Sequence, residues 1–209
     1  SKMPKEKVMR KIIGITGGIA SGKSTVTEFL RQKGFQVVDA DALVHQLQKN
    51  GGRLYQIIVE HFGEKVLLEN DELNRPLLAS LIFSNPEERE WSKQTQGQII
   101  REELWDLRGK LAQTEDVFFM DIPLLFEQDY ASWFDETWLV YVSRDIQLDR
   151  LVKRDCLTID AAKARLSSQW PLEEKKKLAT CVIDNNGSRE QLLSQVVKLL
   201  EGGAIHARD

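Results

Sequence analysis

The chain has 209 residues, 42% apolar and 29% charged, with 13 Gly and 5 Pro. This suits one globular domain with a sizeable core and excludes collagen-like or disordered chains. Lys plus Arg at 29 against Asp plus Glu at 32 leave a net charge of -3, so no bulk positive field points to nucleic acid or an anionic membrane, and any polyanion must be held locally.

Two cysteines, Cys156 and Cys181, have no close Cys or His spacing, which supports neither a disulfide framework nor a zinc site. Apolar runs fall far short of the ~20 residues of a membrane helix. No apolar signal core precedes Gly14, so the expectation is a soluble cytoplasmic protein.

In chain order, Lys11-Ile12-Ile13-Gly14-Ile15-Thr16 is a short apolar run closed by Gly17-Gly18 and reads as a buried strand, and 23–33 reads as a helix stopped by Gly34. Phe35-Gln36-Val37-Val38-Asp39 is the next strand, followed by a helix from about Ala42 to Gln48. From Arg53 to Gln113 no central strand is evident. Instead Pro86 opens a long helix with Ile100, Leu104, Leu107 and Leu111 on one face. Runs beginning at Val117, Thr137 and Cys181 are three more short strands of the kind buried on both faces of a parallel sheet. The stretch 144–178 is helical and charge-rich, and a C-terminal helix carries Leu192, Val196 and Leu200. Five strands alternating with helices predict an α/β fold with a five-stranded parallel sheet. One domain is expected over 10–203, with a core of 10–52, 116–143 and 179–203, a helical insertion over 53–115 and a helical lid over 144–178.

Gly17-Gly18-Ile19-Ala20-Ser21-Gly22-Lys23-Ser24 fits G-x-x-x-x-G-K-[ST] position by position, between a strand and a helix as the motif requires. The glycines let the backbone curl so that successive N–H groups face phosphate oxygens. Lys23 supplies a point charge, and the Ser24 hydroxyl can ligate Mg²⁺.

Asp39 ends the second strand and Asp41 lies two residues on, at the sheet edge where α/β proteins bind ligands. One of them can accept a proton from a substrate hydroxyl, while Asp41 can equally cap the following helix. Asp121 resembles a Walker B acid holding Mg²⁺, or else caps the turn at Pro123. Arg150 and Arg154 share a helix face, either as mobile cations for a transferring phosphoryl group or as solvated charges. Lys175-Lys176-Lys177 reads as solvated surface, and His45, His61 and His206 have no ligand spacing. No N-K-x-D motif follows, which disfavours a GTPase and favours a small-molecule kinase.

An ordered set of segments then resembles the dephospho-coenzyme A kinase family. It runs through 15–24, Val38-Asp39-Ala40-Asp41, Glu60-His61-Phe62-Gly63, Leu73-Asn74-Arg75-Pro76, 121–127, Gln147-Leu148-Asp149-Arg150-Leu151 with Arg154, and 182–188. The resemblance implies ATP-dependent phosphorylation of the ribose 3′-hydroxyl of dephospho-coenzyme A, with ATP and Mg²⁺, small-molecule partners only, and no required oligomer. It implies that Gly17, Gly18, Ile19, Ala20, Ser21, Gly22, Lys23, Ser24 and Thr25 hold ATP, with Asn185 near the adenine. It further implies Asp41 as general base, Arg150 and Arg154 as lid cations, and Ser24, Asp39 and Asp121 around the metal. Ahead of Ile100-Arg101, where the family typically has His-Pro, the chain has Gly97-Gln98. Another P-loop small-molecule kinase, such as a nucleoside monophosphate kinase, or a nucleotide-binding regulatory module would share the loop.

Overall fold

A computed structural model describes residues 10–202; residue 203 and His206 lie outside them. Strands β1 (Lys11–Thr16), β2 (Gln36–Asp39), β3 (Val117–Asp121), β4 (Glu136–Tyr141) and β5 (Cys181–Asp184) form one sheet in the order β2-β3-β1-β4-β5. Every pairing is parallel, as expected from the continuous apolar runs. β3 shows why: Val117, Phe118, Phe119 and Met120 are all buried, so residues pointing to both faces meet packed side chains. Helix α1 (Lys23–Gln32) follows the loop that leaves β1.

The described residues divide into two compact units, one of 10–39 with 112–202 and the other of Ala40–Leu111. The second is the helical insertion, and it begins at Ala40 rather than at residue 53 because α2 (Ala40–Leu47) packs Val44 and Leu47 into its core. It continues with α3 (Arg53–Phe62), α4 (Arg75–Ser84), α5 (Pro86–Trp91) and α6 (Gly97–Thr114), the last running on past Leu111. Asn74 and Asn85 open α4 and α5, their side chains accepting from the N–H groups of Leu77 and Glu87, with Pro76 and Pro86 in the first turns. The helix expected from Pro86 onward is interrupted by a π-helical turn at Ser92–Gln96. The core of this unit is Leu54, Ile58, Val66, Leu73 and Leu78. His61 stacks on Trp91 at 3.8 Å and bonds Glu88 at 2.6 Å, tying α3 to α5.

Back in the first unit, α7 (Arg144–Asp155) and α8 (Ile159–Leu166) start at Ser143 and Thr158, whose hydroxyls accept from Ile146 and Ala161 N–H. Two more helices, α9 (Leu172–Leu178) and α10 (Arg189–Gly202), flank β5. One face of the sheet is covered by Val26 and Leu30 of α1 and by Leu192, Val196 and Leu200 of α10, packed on Ile13, Ile15, Trp138, Val140 and Ile183. Phe35, Phe119 and Trp138 meet edge-to-face at 5.4 and 5.1 Å, each such pair contributing about 0.5–1.5 kcal/mol beyond its area. β1 is thereby fixed at the centre of the sheet, with its carboxyl end at the loop that follows.

Candidate active site

Residues 17–22 leave β1, turn, and enter α1 at Gly22, whose φ of 89° is left-handed and suits glycine. A Cβ there would strike the Asn185 amide, so the residue is required by space as well as by backbone. α1 has no acidic residue of its own in its first turn, so the helix itself places no carboxylate at the positive end of its dipole.

Within the loop, Ser21 Oγ accepts from Gly18 N–H at 3.2 Å, and Ser21 N–H donates to Gly18 O at 3.1 Å. From outside, the Asn185 amide donates to Ser21 O at 2.8 Å and the Gln147 amide donates to Ile19 O at 2.8 Å. Ile19 N–H donates to Gln169 Oε1 at 3.0 Å, and Lys175 Nζ donates to Gly17 O at 3.1 Å. These four side chains satisfy backbone groups of the loop. Asn185, expected near the adenine, donates its amide to the loop itself. From sequence, Gln147 enters only as the first residue of the family-like segment 147–151, Gln169 carries no signal, and Lys175 reads as part of a solvated charged run.

Lys175 overturns the expectation of a solvated lysine run. Its side chain is fully buried and its ammonium pairs with Glu127 Oε2 at 2.8 Å, which replaces water as its partner. Burial holds its pKa below the usual lysine value, against the opposing pull of Glu127. Lys176 and Lys177 do face outward, the first over the Tyr141 ring at 4.4 Å and the second toward Glu174 at 3.4 Å. The Tyr141 hydroxyl donates to Glu173, which pushes its pKa up to about 12.

At the opening of the loop, Lys23 Nζ pairs with Asp121 Oδ1 at 2.6 Å, both side chains largely buried. Asp121 ends β3 and stands in register with Asp39 at the end of β2, so the two carboxylates sit side by side on adjacent strands. Ser24 is exposed in the first turn of α1, and Thr25 N–H donates to Gly22 O at 3.2 Å. Asp41 is exposed in the first turn of α2, which starts at Ala40, so it is not the cap of that helix.

On α7, Arg150 is half-buried and donates to Asn185 O at 3.1 Å, which places it beside the loop's support. Arg154, one turn on, is exposed and bonded to Asp155 at 3.0 Å. Asp155 also pairs with Arg165 at 2.6 Å, and the two guanidiniums, Arg154 first, hold its carboxyl below the usual range. Among the described residues no cluster of three or more His, Cys, Asp or Glu could hold a metal by itself, and no helix is long and apolar enough to cross a membrane. Cys156 and Cys181 are free thiols.

A parallel α/β sheet with a phosphate loop after its central strand, a lysine at the loop's end and paired strand-end carboxylates define a P-loop kinase. Comparison with known proteins narrows the class. The family model described as dephospho-CoA kinase matches residues 11–191. A dephospho-CoA kinase of Streptococcus pneumoniae is 73% identical over 201 residues, covering 96% of this chain and 100% of that protein. Among solved structures, a Thermus thermophilus protein superposes with a TM-score of 0.77 at 32% identity, covering 93% of this chain and 98% of the other. The dephospho-CoA kinase of Campylobacter jejuni gives 0.70 at 29% identity, covering 91% and 98%. The chain belongs to the dephospho-CoA kinase family.

Proposed function

We propose that this chain transfers the γ-phosphoryl group of ATP to the ribose 3′-hydroxyl of dephospho-coenzyme A, giving coenzyme A and ADP in the last step of coenzyme A synthesis. The observation that carries the reading is the Lys23–Asp121 pair at the end of a braced phosphate loop, in a chain matched by the family over 11–191. With Gly18, Ile19 and Ser21 N–H bonded inside the protein, the loop offers phosphate the N–H groups of Ala20 and Gly22 and of the start of α1, and Lys23, exchanging Asp121 for phosphate, neutralises charge on the β- and γ-oxygens. Thr25 and the N-terminal turn of α1 add the dipole.

The donors present suit Mg²⁺, a hard cation that takes one or two carboxylates together with phosphate oxygens and waters. The in-register Asp39 and Asp121, with the exposed Ser24 hydroxyl, offer that set of oxygens, and a dedicated protein cage is not needed. Held by those residues, the ion would supply positive charge to offset that of the phosphoryl group being transferred. Asp41 takes the proton of the acceptor hydroxyl as it attacks; it is exposed, so its carboxylate is available. Arg150 and Arg154 supply cations from α7, the second by giving up Asp155. The partners are two small molecules in the cytoplasm, and one copy of the chain suffices.

The test is phosphate transfer from ATP to dephospho-coenzyme A, adenosine, AMP and shikimate. Transfer to dephospho-coenzyme A alone is expected. Transfer to AMP instead would mean a nucleoside monophosphate kinase, and nucleotide binding with no transfer would mean a regulatory module. In the active protein, Asp41→Asn should lower kcat by about 10²–10⁴-fold while ATP affinity changes little.

A further inference from the structure

The loop's first three residues are tied to α7, to α9 and to the turn that precedes α9 in a way that phosphate binding alone does not require. Gly17 O receives Lys175, Ile19 N–H reaches Gln169, and Ile19 O receives Gln147. A Cβ on Gly18 would stand 2.8 Å from the Gln147 amide and 2.9 Å from Leu172, so the loop lies directly against both helices.

Of these ties, Lys175 is the costly one. An ammonium with no exposed surface gives up its hydration, and a buried ion pair is often no more stabilising than an apolar pair of the same shape. An apolar residue at 175 would stabilise the fold as well, yet it could not hold a carbonyl. The peptide unit between Gly17 and Gly18 is planar and trans, so its C=O and N–H point in opposite directions. Holding the carbonyl on Lys175 aims the Gly18 N–H back across the loop, where it meets Ser21 Oγ at 3.2 Å. Glu127 completes the arrangement by accepting from Lys175 and, at 3.2 Å, from Trp170 N–H at the start of the turn into α9.

We propose that Lys175, with Glu127 as its counter-charge, is a positioning residue for ATP: it fixes the Gly17–Gly18 peptide plane and thereby couples the curvature of the phosphate loop to the seating of α9. Lys175 touches no reacting atom; it acts through Gly17. In this arrangement α9 belongs to the nucleotide loop, and the part of 144–178 able to move on its own is confined to the stretch between Gln147 and Gln169. The proposal rests on the reading of 17–24 as the ATP loop.

The test uses the double variant Lys175→Met with Glu127→Met, an apolar pair of similar length, beside the single Lys175→Met. MgATP binding is measured by calorimetry, and KM for dephospho-coenzyme A and the melting temperature are measured alongside. The single variant should melt lower, because Glu127 is left buried without its cation. The double variant should recover the melting temperature while MgATP affinity stays at least about tenfold weaker and the acceptor KM moves less than twofold, the tenfold corresponding to 1.4 kcal/mol. A merely structural role predicts that affinity returns together with stability, so MgATP affinity within twofold of wild type in a stable double variant overturns the proposal. Should the Met variants not fold, Glu127→Gln decides. It keeps an oxygen for Lys175 and the ammonium on Gly17, so MgATP affinity should weaken by less than threefold even if melting drops, and a tenfold loss would overturn the carbonyl tether. A wild-type chain that binds no MgATP would remove the ATP-loop reading itself, an outcome distinct from either of these.

Discussion

Asn185 gives the sharpest quantitative test of how the loop is held. Its side chain sits in a residue only 8% exposed, and its amide donates to Ser21 O at 2.8 Å. Asn185→Ala removes the donor and leaves that carbonyl without it in a buried place, a loss of about 1–3 kcal/mol. The loss can appear in two measurable places. If the loop relaxes in the free protein and must be re-formed by the nucleotide, the whole amount enters the binding constant, and MgATP affinity falls about 5- to 150-fold at 1.4 kcal/mol per decade. If the loop keeps its shape, the amount enters global stability, and for a chain of this size the melting temperature falls by about 2–12 °C. The sum of the two is the firm expectation, read by calorimetric titration with MgATP and by thermal melting on the same sample. kcat at saturating substrates should change far less, since Lys23 is untouched. Asn185→Asp should do worse than Asn185→Ala, because a carboxylate would face the Ser21 carbonyl. An Asn185→Ala variant with affinity within about twofold and melting within about 1 °C of wild type would refute the reasoning.

Three further outcomes are expected. Lys23→Ala should lose at least about a hundredfold in turnover while remaining folded by circular dichroism, because the ammonium acts on charge that develops in transfer; near-normal turnover would remove the phosphate-loop assignment. Tyr141, with its pKa raised to about 12 by the bond to Glu173, binds a proton in the folded state between pH 10 and 12 that the unfolded chain has released, so its contribution is full below about pH 10 and is lost as pH rises through that window. Urea midpoints for wild type and Tyr141→Phe should therefore converge between pH 9.5 and about pH 12, and a constant gap would count against it. Arg154→Ala should lower kcat more than it weakens dephospho-coenzyme A binding, and hydrogen exchange across α8 should slow when both substrates are bound. Wild-type kcat with unchanged exchange would return Arg154 to a solvated surface role.

Much of this was readable before any coordinates, and the reasons differ from residue to residue. Val117 to Met120 announce a strand buried on both faces because nothing polar interrupts them, and Gly17 to Ser24 carry a spacing that only a phosphate loop explains well. The order of the strands was not readable. It places β3 between β1 and β2, and so brings Asp121 beside Asp39, although 82 positions of chain, from 39 to 121, separate them. The start of the helical unit at Ala40 was also hidden, because Val44 and Leu47 carry the same apolar signal whichever unit they pack against. Lys175 was misread for a physical reason: composition reports that three lysines stand together, while only packing reports that the first of them turns inward to Glu127. Gln147 stood only as part of the family-like segment 147–151 and Gln169 had no signal, since an amide that serves a backbone group leaves no mark in spacing.

The pairing of Lys23 with Asp121 has a consequence for which form of the nucleotide the site prefers. At rest the two charges cancel at 2.6 Å, so the loop presents little net attraction to a bare anion, and the local field is that of a dipole. A tetra-anionic nucleotide would have to break the pair and leave the Asp121 carboxylate facing phosphate oxygens. With the metal role proposed for Asp121, a nucleotide that carries its own divalent cation would give each partner a new one of opposite sign, lysine to phosphate and aspartate to metal. Such an exchange would conserve charge, and on the proposed roles the aspartate would act as a gatekeeper, admitting the metal complex and turning the free nucleotide away.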